Sequence, residues 1–97
     1  MSLEPEYKNK IIGILTVLFP DAKIYLFGSR ARGTHSDRSD IDIALDESKV
    51  IRPGRLGEAV SMFAESNIPY KIDVVDLHSV SDDMRYFIKK EGILWKS

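Results

Sequence analysis

Apolar side chains recur every three or four positions through the first part of the chain. Tyr7, Ile11, Leu15 and Leu18 share one stripe, Ile12 and Phe19 widen it, and Pro20-Asp21 ends it, which predicts a first helix. The period then changes. Lys23–Phe27 (KIYLF) predicts a short strand running into Gly28, with a helical turn over Ser29–Gly33 and a loop over Thr34–Ser39. Asp40–Leu45 (DIDIAL) alternates with period two, as a strand does. Asp46–Ile51 is a connector. Pro53 opens a second helix in which Leu56, Ala59, Val60, Phe63 and Ala64 repeat at helical spacing, closed by Asn67 and Pro69. Tyr70–Leu77 (YKIDVVDL) is the third strand. Ser79 or Ser81 caps a last helix carrying Met84, Phe87 and Ile88, Gly92 sits at the place of a C-terminal glycine cap, and Ile93–Trp95 adds a short strand. The order α-β-loop-β-α-β-α-β suggests one sheet backed by helices, in the α/β (α+β) class.

The alternation in DIDIAL poses a chemical question. On a strand, Asp40, Asp42 and Ala44 share one face while Ile41, Ile43 and Leu45 share the other. The isoleucine face suits a core. The other face holds two carboxylates about 7 Å apart at their Cα atoms. In the third strand Ile72 and Val74 take the core side and Asp73 the opposite one, so Asp73 joins the pair if the two strands are neighbours. Three carboxylates at one spot call for a cation. Oxygen donors without cysteine favour Mg²⁺ or Mn²⁺, and Mg²⁺ is commonly held by one or two carboxylates together with substrate phosphates. A cluster of this kind therefore implies a phosphate-bearing ligand as well.

The Gly28-Ser29 turn meets that need. A strand ending in Gly-Ser before a helical turn presents backbone N–H groups to an anion. Glycine lets a ligand approach the chain, and the serine hydroxyl can bond a phosphate oxygen. Arg30, Arg32 and Arg38 add positive charge suited to a polyanion. Each feature taken singly has a plainer account: a solvated D-x-D, an ordinary strand-to-helix turn, surface ion pairs with Asp37 or Asp46. His35 and His78 read as solvated loop residues.

Composition narrows the classes. With 97 residues the chain makes one domain, residues 1–97, with no room for a second core. A net charge of −1 argues against direct nucleic-acid binding as its main role. The absence of cysteine removes disulfides and thiolate zinc sites and is compatible with a cytoplasmic location. The apolar run Ile11–Phe19 follows an acidic and basic leader, lacks a small-residue cleavage site and is too short to span a bilayer. It reads as a buried helix segment rather than a membrane element.

Gly28-Ser29, ten intervening residues, then Asp40-Ile41-Asp42 gives the pattern G-S-x10-D-x-D with apolar flanks. This resembles the nucleotidyltransferase superfamily that includes DNA polymerase beta, kanamycin nucleotidyltransferase and poly(A) polymerases. The wording GSRARG…SDIDIAL, the later IDVVDL and the ending IKKEGILW are most similar to the minimal nucleotidyltransferases, or MNT domains. The resemblance implies a small mixed sheet with helices packed on it. It implies that Gly28 and Ser29 hold a nucleoside triphosphate, with Arg30 and Arg32 in the same wording. Asp40 and Asp42 would bind the catalytic metals, and Asp73 is the third carboxylate, suited to accept a proton from the attacking hydroxyl. Asp76 falls on the opposite strand face and is the poorer candidate. MNT proteins are typically paired with a helical HEPN protein, often as toxin and antitoxin, and the MNT member can transfer AMP from ATP to a tyrosine of the toxin. The larger relatives carry a further domain for the acceptor, so an acceptor site completed by a partner or a second copy is expected. A docking-only antitoxin, or transfer to a small hydroxylated molecule, are the alternatives.

Overall fold

A computed structural model describes residues 3–34 and 39–97. Four helices and four strands alternate along it: α1 (Pro5–Leu18), β1 (Lys23–Phe27), α2 (Ser29–Arg32), β2 (Ile41–Asp46), α3 (Pro53–Ala64), β3 (Ile72–Asp76), α4 (Asp82–Glu91) and β4 (Ile93–Lys96). The strands form one mixed sheet in the order β3-β2-β1-β4. β1 is antiparallel to both β2 and β4, whereas β2 and β3 run parallel. The parallel pair is joined through α3, as such a crossover requires.

Local chemistry sets the element ends. Proline occupies the opening turn of α1 and of α3, where its missing N–H costs nothing. Of the two capping serines the sequence offers, Ser81 is the one used: its hydroxyl accepts from the Met84 N–H at 3.2 Å. Asp82 and Asp83 follow in the first turn of α4, with Lys89 and Lys90 in the last, signs that complement the helix dipole. Gly92 closes α4 in an extended conformation (φ −70, ψ 154), not the left-handed one typical of a glycine cap. Glycine is needed there for closeness: a Cβ would collide with the Ile88 carbonyl oxygen and lie 3.2 Å from that of Leu26.

The sheet has two unlike faces. Ile24 and Leu26 of β1, Ile41, Ile43 and Leu45 of β2 and Ile72 of β3 form the main core with Ile11 and Leu15 of α1 and Ala59 and Phe63 of α3. The opposite face is covered over only part of its length, by Ile88 of α4 and by Leu77, which follows β3, packed with Ala44, Tyr25 and Phe27. Ala44 is consequently buried, although it shares a face with Asp42. The uncovered remainder of that face lies at the start of β2 and β3. Among the described residues no helix is long and apolar enough to cross a membrane.

Candidate active site

The open end of the face is built where β1 stops and β2 and β3 begin. Phe27, the last residue of β1, is paired with Asp42, and Gly28 turns the chain off the sheet with φ 79 and ψ −156. That backbone region favours glycine. A side chain is excluded there a second way, since a Cβ on Gly28 would collide with Asp42 Oδ2 and lie 3.2 Å from Asp42 Cγ. The turn backbone thus rests directly against the Asp42 carboxylate. Ser29 then opens α2, a single turn closed by Gly33, whose φ is 77 and whose N–H donates to the Ser29 carbonyl.

The third carboxylate arrives by strand register. β2 and β3 pair with Asp42 beside Asp73, and directly paired residues on neighbouring strands project from the same face. Burial pushes the Asp42 carboxyl above its usual range, and the charges of Asp73 and then Asp40 push it further. Arg32 and Lys71 offset this in part. Lys71 also stands 3.8 Å from Asp73.

Asp40 differs from the strand expectation. β2 begins at Ile41, so Asp40 stands just outside it, exposed. Its backbone is held on both sides instead. The Ser39 carbonyl accepts from Arg30 Nε at 3.1 Å and Nη2 at 3.0 Å, and the Ile41 N–H donates to the Lys71 carbonyl at 2.9 Å.

The two arginines of GSRARG have different surroundings. Arg32 is half exposed, 3.8 Å from Glu91. Arg30 is 3% exposed, with its guanidinium 4.5 Å from the centre of the Tyr70 ring. On a helix, residues two apart point to roughly opposite sides, so one arginine goes in and the other out. Arg38, His35 and Asp37 lie outside the described residues. His78, read from the sequence as a solvated loop residue, is paired through Nε2 with Asp46 Oδ1 at 2.6 Å. Asp46 therefore serves the histidine rather than an arginine. Asp76 is buried, on the other side of the sheet from Asp73.

The sequence placed Tyr70 and Lys71 at the head of the third strand and gave them no site role; β3 begins only at Ile72, and the adjacency of Asp73 was the one hint at them. A cleft of about 490 Å³ between the Gly28 turn and α4 also went unseen, with Phe27, Arg32, Met84, Phe87 and Glu91 among its lining residues.

Among the described residues no three carboxylate or imidazole groups are arranged to hold a metal ion by themselves. The donor set nonetheless fits an open Mg²⁺ or Mn²⁺ site. Burial first, and then the charges of Asp73 and Asp40, raise the Asp42 carboxyl, a strain a cation would relieve, and such ions usually complete their shells with water and substrate phosphate.

Residues 9–97 match the family model described as "Polymerase beta, Nucleotidyltransferase". The chain belongs to this nucleotidyltransferase family. Over 80 residues it is 36% identical to the Haemophilus influenzae protein named "Probable protein adenylyltransferase MntA", covering 79% of this chain and 68% of that one. Over 78 residues it is 38% identical to the "Protein adenylyltransferase MntA" of Shewanella oneidensis, covering 76% of this chain and 53% of the relative. The nucleotidyltransferase fold is shared with a toxin–antitoxin crystal structure containing AMP-PNP, at a TM-score of 0.80 and 34% identity over 93% of this chain and 73% of that one. A structure of tri-AMPylated Shewanella oneidensis HEPN toxin with MNT antitoxin matches at a TM-score of 0.76 and 29% identity, over 100% of this chain and 74% of that one.

Proposed function

We propose that this nucleotidyltransferase moves AMP from ATP to a hydroxyl, a tyrosine of a HEPN-type toxin, and so acts as the antitoxin of a cytoplasmic pair, with residues 1–97 as one catalytic unit. The observation that carries this is the register placing Asp42 beside Asp73, with the Gly28 turn pressed against Asp42. The similarity to the MntA proteins and to the AMPylated complex supports the acceptor class.

In this reading Asp40, Asp42 and Asp73 hold divalent metal, which supplies Lewis-acid stabilisation of the charge developing on the phosphate oxygens. Gly28 gives the triphosphate room to approach the backbone, and Ser29 contributes its N–H and hydroxyl. Arg32, half exposed at the mouth of the site, is the cation suited to the outer phosphates. The acceptor oxygen forms a bond to the α-phosphorus as the bond to the bridging oxygen breaks. Pyrophosphate leaves with that electron pair, and the hydroxyl proton passes to Asp73. The acceptor is presented by the partner, so the working form is a hetero-oligomer.

Label transfer tests this. With Mg²⁺ and ATP labelled at the α-phosphate, a HEPN partner should become labelled, and an Asp40→Asn/Asp42→Asn variant should label nothing. Absence of label with all four nucleotides while the complex still forms would favour neutralisation by docking. Label on a small hydroxylated compound in place of the partner would redirect the acceptor.

A further inference from the structure

We infer that Arg30 is a positioning residue that sets the backbone carrying Asp40, rather than a contact for nucleotide phosphate. This rests on the assignment of Asp40 as a metal-binding carboxylate. Asp40 lies one residue outside β2 and cannot rely on the sheet ladder to fix it. The support comes from Arg30, which spends two donors, Nε and Nη2, on the single carbonyl of Ser39. A guanidinium that is 3% exposed needs a defined environment to offset its lost hydration. Part of it is the Tyr70 ring, stacked at 4.5 Å. Tyr70 is itself anchored: its hydroxyl donates to the Glu4 carboxylate at 3.2 and 3.3 Å, and the Tyr7 ring meets it edge-on at 5.7 Å. A brace therefore runs from the start of α1 through Tyr70 and Arg30 to Ser39, next to Asp40. On the far side of Asp40, the Ile41–Lys71 hydrogen bond begins the β2–β3 ladder.

Lysine cannot replace arginine here, because one ammonium reproduces neither the broad contact with the Tyr70 ring nor the fork on the Ser39 carbonyl. Groups that orient metal ligands from outside typically change metal affinity about 10- to 100-fold when removed. The test is Mn²⁺ titration in the presence of a non-hydrolysable ATP analogue, with hydrogen exchange of the Ile41 amide, bonded to the Lys71 carbonyl, measured on the same free proteins. Arg30→Lys is expected to keep the fold by circular dichroism, weaken Mn²⁺ about 10-fold and speed exchange at the Ile41 amide. Arg32→Met should weaken the analogue without speeding that exchange. Should Arg30 variants fail to fold, Tyr70→Leu removes the stack while leaving Arg30 in place, and the same two changes are expected.

Unaltered exchange in Arg30→Lys, or in Tyr70→Leu where that variant stands in, overturns the brace. So does wild-type Mn²⁺ affinity combined with a loss of nucleotide affinity, which would make Arg30 a phosphate contact. If the wild-type protein binds no Mn²⁺, the metal assignment fails instead, and the exchange data still judge the brace.

Discussion

Strands β2 and β3 carry carboxylates at both ends, and the two ends treat them in opposite ways. At the start, Asp42 and Asp73 face each other across the ladder, and the Asp42 carboxyl is raised by burial and by the charges of Asp73 and Asp40. At the finish, burial pushes Asp46 and Asp76 upward too, but hydrogen bonds outweigh it and hold both below their usual range. Asp76 accepts from the Ile51 N–H at 2.8 Å, the Ser79 hydroxyl at 2.7 Å and the His78 N–H at 3.0 Å. Asp46 accepts from the Ser48 N–H at 2.9 Å and is paired with His78. Acids whose charge is answered within the chain hold the fold together. Acids left to repel one another are, in the proposed function, answered by a cation and a ligand from outside.

The largest effect should come from the unanswered end. Asp42→Asn is expected to abolish label transfer, and Asp73→Asn to lower its rate by about 10²- to 10⁴-fold as a lost general base would. Both variants should unfold thermally no earlier than wild type, because each removes a repulsion. Early melting would make these acids structural and erase the contrast.

The answered end should behave in reverse. In Asp76→Asn the amide offers one acceptor oxygen where two carboxylate oxygens now receive the Ile51 and His78 N–H groups. One backbone donor loses its partner, which should cost about 2 kcal/mol in denaturant titration. Label transfer per folded molecule should stay near wild type.

Acid sharpens the same distinction. Because folding lowers the carboxyls of Asp46 and Asp76 from 3.8, their stabilisation is complete above that value. It is lost as pH falls through the lower folded values. The denaturation midpoint should therefore drop below about pH 4, and the gap between wild type and Asp76→Asn should close over the same range. The smallest effect belongs to the Arg32–Glu91 pair, 3.8 Å apart with both side chains about half exposed. Glu91→Gln should change stability by less than about 0.5 kcal/mol and should not slow label transfer.

Much of the fold was legible because its signals are periodic. The helical stripe of α1, the strand alternation of DIDIAL and the proline before α3 each speak through near neighbours. Gly28 was legible for the same reason, since strand, glycine and helical turn are contiguous. Arg30 was not. Charge alone suggests a surface residue, and its burial depends on Tyr70, which periodicity does not place beside it. The pairing of His78 with Asp46 is likewise set by where β2 and β3 end together. The limits of β2 misled in a subtler way, because alternation includes Asp40 but the ladder starts at Ile41.

The parallel pairing of β2 with β3 also governs when the protein becomes competent. Asp42 and Asp73 are separated along the chain by the whole of α3, and parallel strands joined by a crossover are among the slower contacts to form. A nascent or unfolding chain lacks the third carboxylate until residues 72–76 dock beside β2. Activity is thus expected to appear in one late step of folding and to vanish early in unfolding, so that a half-made copy transfers no nucleotide.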